Sequence, residues 1–277
     1  MSLKNPKKES FNELKQLTQI IKTKHSYDFS EYALPSFKRR IERYLSNNKI
    51  EDTTTLINLL LSDKINTQDF LSELTVNVTE MFRDPSMWKF LKENTLPNLI
   101  SKTSALKVLH AGCSSGEEVY SLKIILDQLS INSNCIIDAF DLDKSIINQA
   151  QQGTFDQKDL NKNNANFQET GSKGNLLDFL NKSDNRYSID ETLKRGILFS
   201  EADLISFEID KQYDLIFCRN LLIYFNQPLQ NKVLKKIVNA LKPNGILIIG
   251  FNESISWCES YFDLKCVNIN QRIFKKK

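Results

Sequence analysis

From Ala105 onward the chain alternates short apolar runs with amphipathic segments, and no other feature restricts its fold as tightly. "LKVLHA", "CIIDAFD", "GILFSEAD", "YDLIFC" and "GILIIGF" have the length and apolar content of buried strands. Between them, "EEVYSLKIILDQL", "SIINQAQQ" and "LQNKVLKKIVNAL" repeat their apolar residues at helical spacing. Such alternation predicts a mostly parallel, doubly wound sheet of Rossmann-like type, whose ligands sit beyond the carboxyl ends of the strands. The closing segments "YFDLKCV" and "QRIFKK" predict two strands that meet antiparallel at one edge.

The start of the chain has a different rhythm. "FNELKQLTQII", "LPSFKRRIERYL" and "TTLINLLL" show only helical periodicity, which predicts an N-terminal all-α domain and linker over residues 1–72 and an α/β domain over 73–277. Within the second part, the Asn- and Lys-rich stretch "DLNKNNANFQETGSKGN" breaks the alternation and is followed by strand-like pieces around "NRYSID". This predicts a small inserted β-subdomain at about 156–195, with the Asn-rich stretch itself expected to be a loop.

Composition removes several classes of chemistry. Five widely spaced cysteines, none in a Cys-x-x-Cys pair, fit reduced thiols better than a disulfide framework or a zinc site. Histidine occurs only at His25 and His110, too few for a metal cluster or a Ser-His-Asp system. No charged-then-apolar leader opens the chain, and no apolar run approaches the roughly 20 residues that span a bilayer, so a cytoplasmic protein without membrane insertion is expected. Residues 1–65 hold 12 Lys or Arg against 8 Asp or Glu, so this lobe carries the positive charge of a chain whose total is +3. "SFKRRIERYL" puts Phe37, Ile41, Tyr44 and Leu45 on one helical face and Arg39, Arg40 and Arg43 on the other. That basic face reads either as solvated surface or as a docking face for an acidic partner.

The turn after the first strand, "GCSSGEEVYS", carries the chemistry. Gly112 and Gly116 suit a tight strand-to-helix turn of the dinucleotide type, but Glu117 and Glu118 at the helix start would repel a phosphate. They suit a ligand bearing an ammonium or a sulfonium. Asp141 ends the second strand, about 25 residues beyond the turn, where a carboxylate can accept from ribose hydroxyls. Asp203 follows the third strand and Asn220 the fourth. One cationic, adenosine-bearing ligand touched from four strand ends fits S-adenosylmethionine better than NAD; the competing reading makes these acids helix caps and turn formers.

In order along the chain, "NVTEMFRD", "GCSSGEEVYSL", "DLD", "ADL", "FCRNLLIYF" and "LKPNGILIIGFNES" resemble the chemotaxis receptor glutamate methyltransferases of the CheR type, from about Tyr27 to the C-terminus. The resemblance implies an all-α domain joined to an S-adenosylmethionine-binding α/β domain with a small inserted β-subdomain. It implies that Asn77, Thr79 and Arg83 reach the methionine end of the cofactor beside the incoming carboxylate, and that Glu118, or else Glu117, holds the ammonium. Asp141 would take the ribose, Asp203 with Leu204 and Asn220 with Leu221 would line the adenine and its neighbouring turn, and Tyr224 would stand at the methyl-transfer end. Arg83 and Tyr224 are the implied catalytic residues, and S-adenosylhomocysteine is the implied product. Met81 stands where the family usually has Phe, and "LNKSDNRYS" lacks the glycines of members that bind a receptor's C-terminal pentapeptide, so such tethering is not expected.

A glutamate side chain is ionised at neutral pH and needs no general base, which accounts for the scarcity of histidine. The expected activity is methyl esterification of glutamates on a helical receptor or signalling protein, by an enzyme working as a monomer. Methylation of a small molecule or nucleic acid would need a proton acceptor that these motifs do not supply, so nucleic acid is not an expected partner. A cofactor-binding sensory module without transfer is the remaining alternative.

Overall fold

Strand β1 (Leu106–Ala111) lies inside a seven-stranded sheet, paired on one side with β2 (Cys135–Asp141) and on the other with β7 (Tyr213–Cys218). The computed structural model describes residues 11–25, 27–75, 78–131, 134–183 and 186–277. These residues group into two compact units, one from the chain up to Val76 with Ile223–Gln230, the other from Asn77–Leu222 with Asn231–Lys277.

In the second unit β6 (Ile197–Glu201) extends the sheet beyond β2, and β8 (Leu241–Ile249) extends it beyond β7, all four junctions being parallel. Val, Ile, Leu and Phe fill the central strands β1 and β7 and the second half of β8, which are covered on both faces, whereas edge strand β6 leaves Leu198 exposed. The registers Ala111↔Phe140, Asp141↔Glu201 and Phe217↔Ile248 bring the carboxyl ends to one edge. The strand order reverses direction between β1 and β7, which is where doubly wound sheets open a crevice. The two closing strands are antiparallel, as the sequence predicts, with β10 (Ile273–Lys276) inserted between β8 and the edge strand β9 (Leu264–Asn268).

Helices α7 (Glu117–Gln128), α8 (Lys144–Gln152) and α10 (Gln227–Asn239) connect the strands. Asp143 caps α8 by accepting from Ser145 N and Ile146 N. Ahead of β1, α5 (Pro85–Phe90) continues through a π-helical turn, Leu91–Thr95, into α6 (Leu96–Ile100). The insertion contains a three-stranded antiparallel sheet of β3 (Thr154–Asp156), β5 (Arg186–Ile189) and β4 (Leu180–Ser183). The Asn-rich stretch differs from expectation. It forms helix α9 (Leu160–Glu169), whose Phe167 is buried and whose Asn163, Asn164 and Asn166 hydrogen-bond to neighbouring backbone.

The first unit contains α1 (Phe11–His25), α2 (Leu34–Asn47), α3 (Thr53–Leu61) and α4 (Thr67–Leu74). Leu14, Leu17 and Ile21 of α1 and Leu56, Ile57 and Leu60 of α3 are buried at helical spacing. Asp52 caps α3 by accepting from Thr55 N. Among the described residues no helix is long and apolar enough to cross a membrane.

Candidate functional site

The turn after β1 is tied to the end of β2. Gly112 N and Cys113 N both donate to Phe140 O at 2.9 Å, and Ser114 N donates to Asp141 Oδ2 at 2.9 Å. Gly112 (φ +77°) and Gly116 (φ +92°) occupy left-handed conformations. A Cβ at Gly112 would stand 3.3 Å from the Leu221 side chain, and one at Gly116 would stand 3.0 Å from the Tyr120 ring. Glycine is therefore required twice, for backbone conformation and for close approach. Asp141 also accepts from Asp143 N at 3.2 Å through its other oxygen. Burial pushes its carboxyl above the usual range, against the opposing pull of these backbone donors. A carboxylate has about four acceptor positions, so capacity for ribose hydroxyls remains. The Ser114 hydroxyl beside it is buried without a hydrogen-bond partner among the described residues.

Asp203 lies two residues beyond β6 and folds its own turn, accepting from Ile205 N at 2.9 Å and from Ser206 Oγ at 3.1 Å. Leu204 is buried, and its carbonyl accepts from Lys236 Nζ at 3.2 Å. Beyond β7, Asn220 adopts a left-handed backbone (φ +58°), with Leu221 following against Gly112. The sequence reading did not single out Glu253, which organises this turn. It is buried and accepts from Gly250 N at 2.6 Å, Leu222 N at 2.7 Å and Asn220 N at 3.0 Å, joining the ends of β7 and β8.

The two glutamates that open α7 have different environments. Glu117 is buried, accepts from Ser115 Oγ at 2.7 Å, and has its carboxyl pushed up by desolvation. Glu118 keeps 17% of its side chain exposed and lies between His110 and Arg219. His110 Nδ1 is 3.0 Å from Glu118 Oε1, and Arg219 donates to Oε2 at 2.7 Å. Burial alone would raise the Glu118 carboxyl; Arg219 and His110 together outweigh it and hold the carboxyl below the usual range. Because an ionised carboxylate only accepts, His110 carries its proton on Nδ1. The imidazole is fully buried and stacked on Phe217, with centroids 4.3 Å apart.

Arg219 connects this carboxylate to the "NVTEMFRD" segment. Its side chain is only 1% exposed; it also donates to Asp84 Oδ2 at 2.6 Å and to the Arg83 carbonyl at 3.1 Å. Trp88 Nε1 donates to the same carbonyl at 3.0 Å. Upstream, Asn163 accepts from Met81 N at 3.1 Å, Asn166 donates to Met81 O at 3.0 Å, and Ser121 Oγ accepts from Phe82 N at 2.8 Å. Phe82 (φ +53°) and Asp84 (φ +60°) flank Arg83 in left-handed conformations that only dense support can hold. Arg83 itself is half-buried and donates to Val78 O at 3.3 Å; among the described residues no carboxylate is paired with it. Thr79 is half-buried two residues before Met81, and Asn77 lies outside the described residues.

Tyr224 belongs to the first unit. Its carbonyl accepts from Ala33 N at 2.8 Å, and the Arg40 guanidinium lies over its ring, 4.1 Å from the centroid. This corrects the expected docking face of Arg39, Arg40 and Arg43. Arg40 is only 5% exposed and donates to Leu74 O at 2.7 Å, while Arg39 and Arg43 remain on the surface. The helical period puts residue 40 beside Phe37, Ile41 and Tyr44, and a guanidinium stem can share an apolar face when an aromatic ring and a carbonyl receive its head.

Gly112, Glu118, Asp141 and Asn220 with Leu221 lie at the carboxyl ends of the strands, Arg219 ties Glu118 to the Arg83 backbone, and the charges of this cluster fit a cationic ligand. Glu118 and Asp84 share the single guanidinium of Arg219, which leaves one negative charge unmatched when the imidazole is neutral. A doubly wound sheet with this turn, an acid at the end of β2 and an acidic helix start defines a Rossmann-like S-adenosylmethionine-dependent methyltransferase. Residues 77–271 match the family described as CheR methyltransferase, SAM binding domain, and residues 12–75 match CheR methyltransferase, all-alpha domain. The chemotaxis protein methyltransferase of Listeria innocua is 31% identical over 239 residues, spanning 86% of this chain and 88% of that protein. The chemotaxis protein methyltransferase of Borreliella burgdorferi is 29% identical over 258 residues, spanning 88% of each. The chain belongs to the CheR methyltransferase family, and S-adenosylmethionine is its cofactor.

Proposed function

We propose that the protein transfers the methyl group to glutamate side-chain carboxylates of a helical receptor or signalling protein, forming methyl esters. The observation that carries this reading is the contrast between His110 and Arg83. The imidazole is sealed in the interior against Phe217 and Glu118, so it cannot deprotonate a neutral nucleophile, whereas the Arg83 guanidinium is presented without a carboxylate partner among the described residues. An acceptor that arrives already ionised needs an orienting cation rather than a base. The relatives named chemotaxis protein methyltransferases support a receptor-type substrate.

When bound, S-adenosylmethionine supplies an electrophilic methyl group on a positively charged sulfur. Glu118 would hold its amino group, Asp141 its ribose, and Asp203, Leu204, Asn220 and Leu221 would border the adenine. Thr79 and Arg83 would meet the acceptor. Arg83 orients the acceptor carboxylate and takes it out of water, which keeps its charge available for bond formation. The exposed Arg39 and Arg43 would draw a glutamate-rich helix to a monomeric, cytoplasmic enzyme.

The product tests the reading. Methyl-labelled cofactor is incubated with a glutamate-rich receptor helix, the protein is treated with mild alkali, and the vapour is collected. Volatile label, released as methanol, is expected; label that survives alkali on protein, nucleic acid or a small molecule would reject carboxyl methylation.

A further inference from the structure

Arg219 stands between the two halves of the site and touches both. One end of its guanidinium meets Glu118 at 2.7 Å; the other meets Asp84 at 2.6 Å and the Arg83 carbonyl at 3.1 Å. A planar fork can bind three acceptors in fixed directions, whereas an ammonium of equal charge cannot. The segment it grips is strained at both neighbours of Arg83, so the direction of that side chain depends on the contacts that hold residues 82 and 84.

The charges make this grip responsive. Two carboxylates compete for one guanidinium, and both are partly exposed, Glu118 by 17% and Asp84 by 25% of the side chain. A ligand ammonium arriving at Glu118 supplies the missing positive charge and relieves that competition. Charges then alternate in sign from the ligand through Glu118 and Arg219 to Asp84, the residue next to Arg83. Released from part of its duty toward Glu118, Arg219 is free to strengthen its bonds to Asp84 and the Arg83 carbonyl.

We propose that Arg219 is a positioning residue for Arg83, and that it makes the presentation of Arg83 depend on whether the cofactor's amino group is seated at Glu118. Arg83 is thereby set for the acceptor only when an intact cofactor is in place. Adenosine-containing fragments without the amino acid leave it unset.

The molecule contains its own reporter. Trp88 Nε1 donates to the same Arg83 carbonyl, and the chain has one other tryptophan, Trp257, which is exposed. The Trp88 indole N–H resonance, assigned by its persistence in a Trp257→Phe variant, is followed while S-adenosylhomocysteine or 5′-methylthioadenosine is added. S-adenosylhomocysteine is expected to shift it, and methylthioadenosine, which lacks the amino acid, is expected to leave it in place. In Arg219→Lys, which keeps the charge but loses the fork, S-adenosylhomocysteine affinity should change less than about threefold while the Trp88 shift disappears. Glu118→Gln should make the two ligands indistinguishable at this resonance.

The same Trp88 shift in Arg219→Lys as in the wild type, or equal shifts from both ligands in the wild type, would overturn the proposal. So would a loss of S-adenosylhomocysteine binding in Arg219→Lys that matches a general loss of spectral dispersion, because Arg219 would then be structural. The proposal rests on the reading of Arg83 as the residue that meets the acceptor. The ester experiment decides that reading separately, since the Trp88 response is measured without any acceptor.

Discussion

Arg40 and Tyr224, 184 positions apart in the chain, form a cation–π pair with the guanidinium 4.1 Å from the ring centroid. Burial lowers the arginine's pKa, yet the ring and the Leu74 carbonyl make its position tolerable. Arg40→Ala would leave that carbonyl unsatisfied and strip the ring of its cover, for an expected loss of about 1–3 kcal/mol. Charge reversal at Arg39 and Arg43 should alter stability by less than about 0.5 kcal/mol and, if a glutamate-rich partner docks there, slow methylation in a salt-dependent way. Urea unfolding of the three variants, with initial rates at two ionic strengths, separates a packing residue from two surface ones.

The β/α rhythm made the sheet legible because strands covered on both faces are largely apolar, and "LKVLHA" and "CIIDAFD" coincide with β1 and β2. The glycine turn was legible for the same kind of local reason. Arg40 was misplaced because polarity assigned it to the solvent face, although its position on the helix falls within the buried stripe. Arg219 stood inside a quoted motif without a visible role, since its partners Asp84 and Glu118 lie 135 and 101 residues away and only the fold brings them together. Glu253 escaped for the same reason: its partners are backbone N–H groups, which have no sequence signature.

The Asn-rich helix α9 offers a direct test of a segment whose composition suggested a loop. Asn163 is buried and satisfies the N–H of buried Met81, whereas Asn161 of the same helix is exposed. Asn163→Ala should cost about 1–3 kcal/mol, the range for an orphaned buried donor, and Asn166→Ala somewhat less because its side chain is only partly buried. Asn161→Ala should stay within about 0.5 kcal/mol. Equal effects at the three positions, measured from chemical denaturation midpoints, would contradict the bracket around Met81.

Glu117 and Glu118 are adjacent yet should respond to acid with opposite signs. Glu118 has a folded-state pKa below its unfolded value, so its contribution is present above the unfolded pKa and is lost as pH falls through the folded one. Glu118→Gln should therefore be least stable relative to wild type at neutral pH, by about 1–3 kcal/mol, and the gap should close in acid. Glu117 is raised by burial, so its ionised form opposes folding at neutral pH and that penalty disappears as pH falls. Glu117→Gln, which can still accept from Ser115, should be neutral or stabilising at pH 7 and lose any advantage in acid. Stability curves of both variants, carried from neutral pH to well below pH 4, that run parallel to wild type would refute the assignment.

Asp141 should make cofactor binding sensitive to pH at values where an ordinary aspartate is not yet titrating. Its carboxylate accepts from Ser114 N and Asp143 N, and ligand hydroxyls would use its remaining acceptor capacity. Burial raises its pKa, so on acidification the free protein protonates this group before a solvated aspartate would respond. Protonation converts an acceptor oxygen into a donor and weakens the hold on ribose hydroxyls, so S-adenosylhomocysteine affinity should fall as pH is lowered through the raised value. Asp141→Asn keeps one acceptor oxygen, cannot ionise, and should bind more weakly at neutral pH by about 1–3 kcal/mol with a flatter pH profile. Calorimetric titrations of both proteins across pH 4.5 to 7.5 check this. A wild-type affinity that is constant over the range, or an Asp141→Asn profile as steep as the wild type's, would move the pH-sensitive contact to another residue.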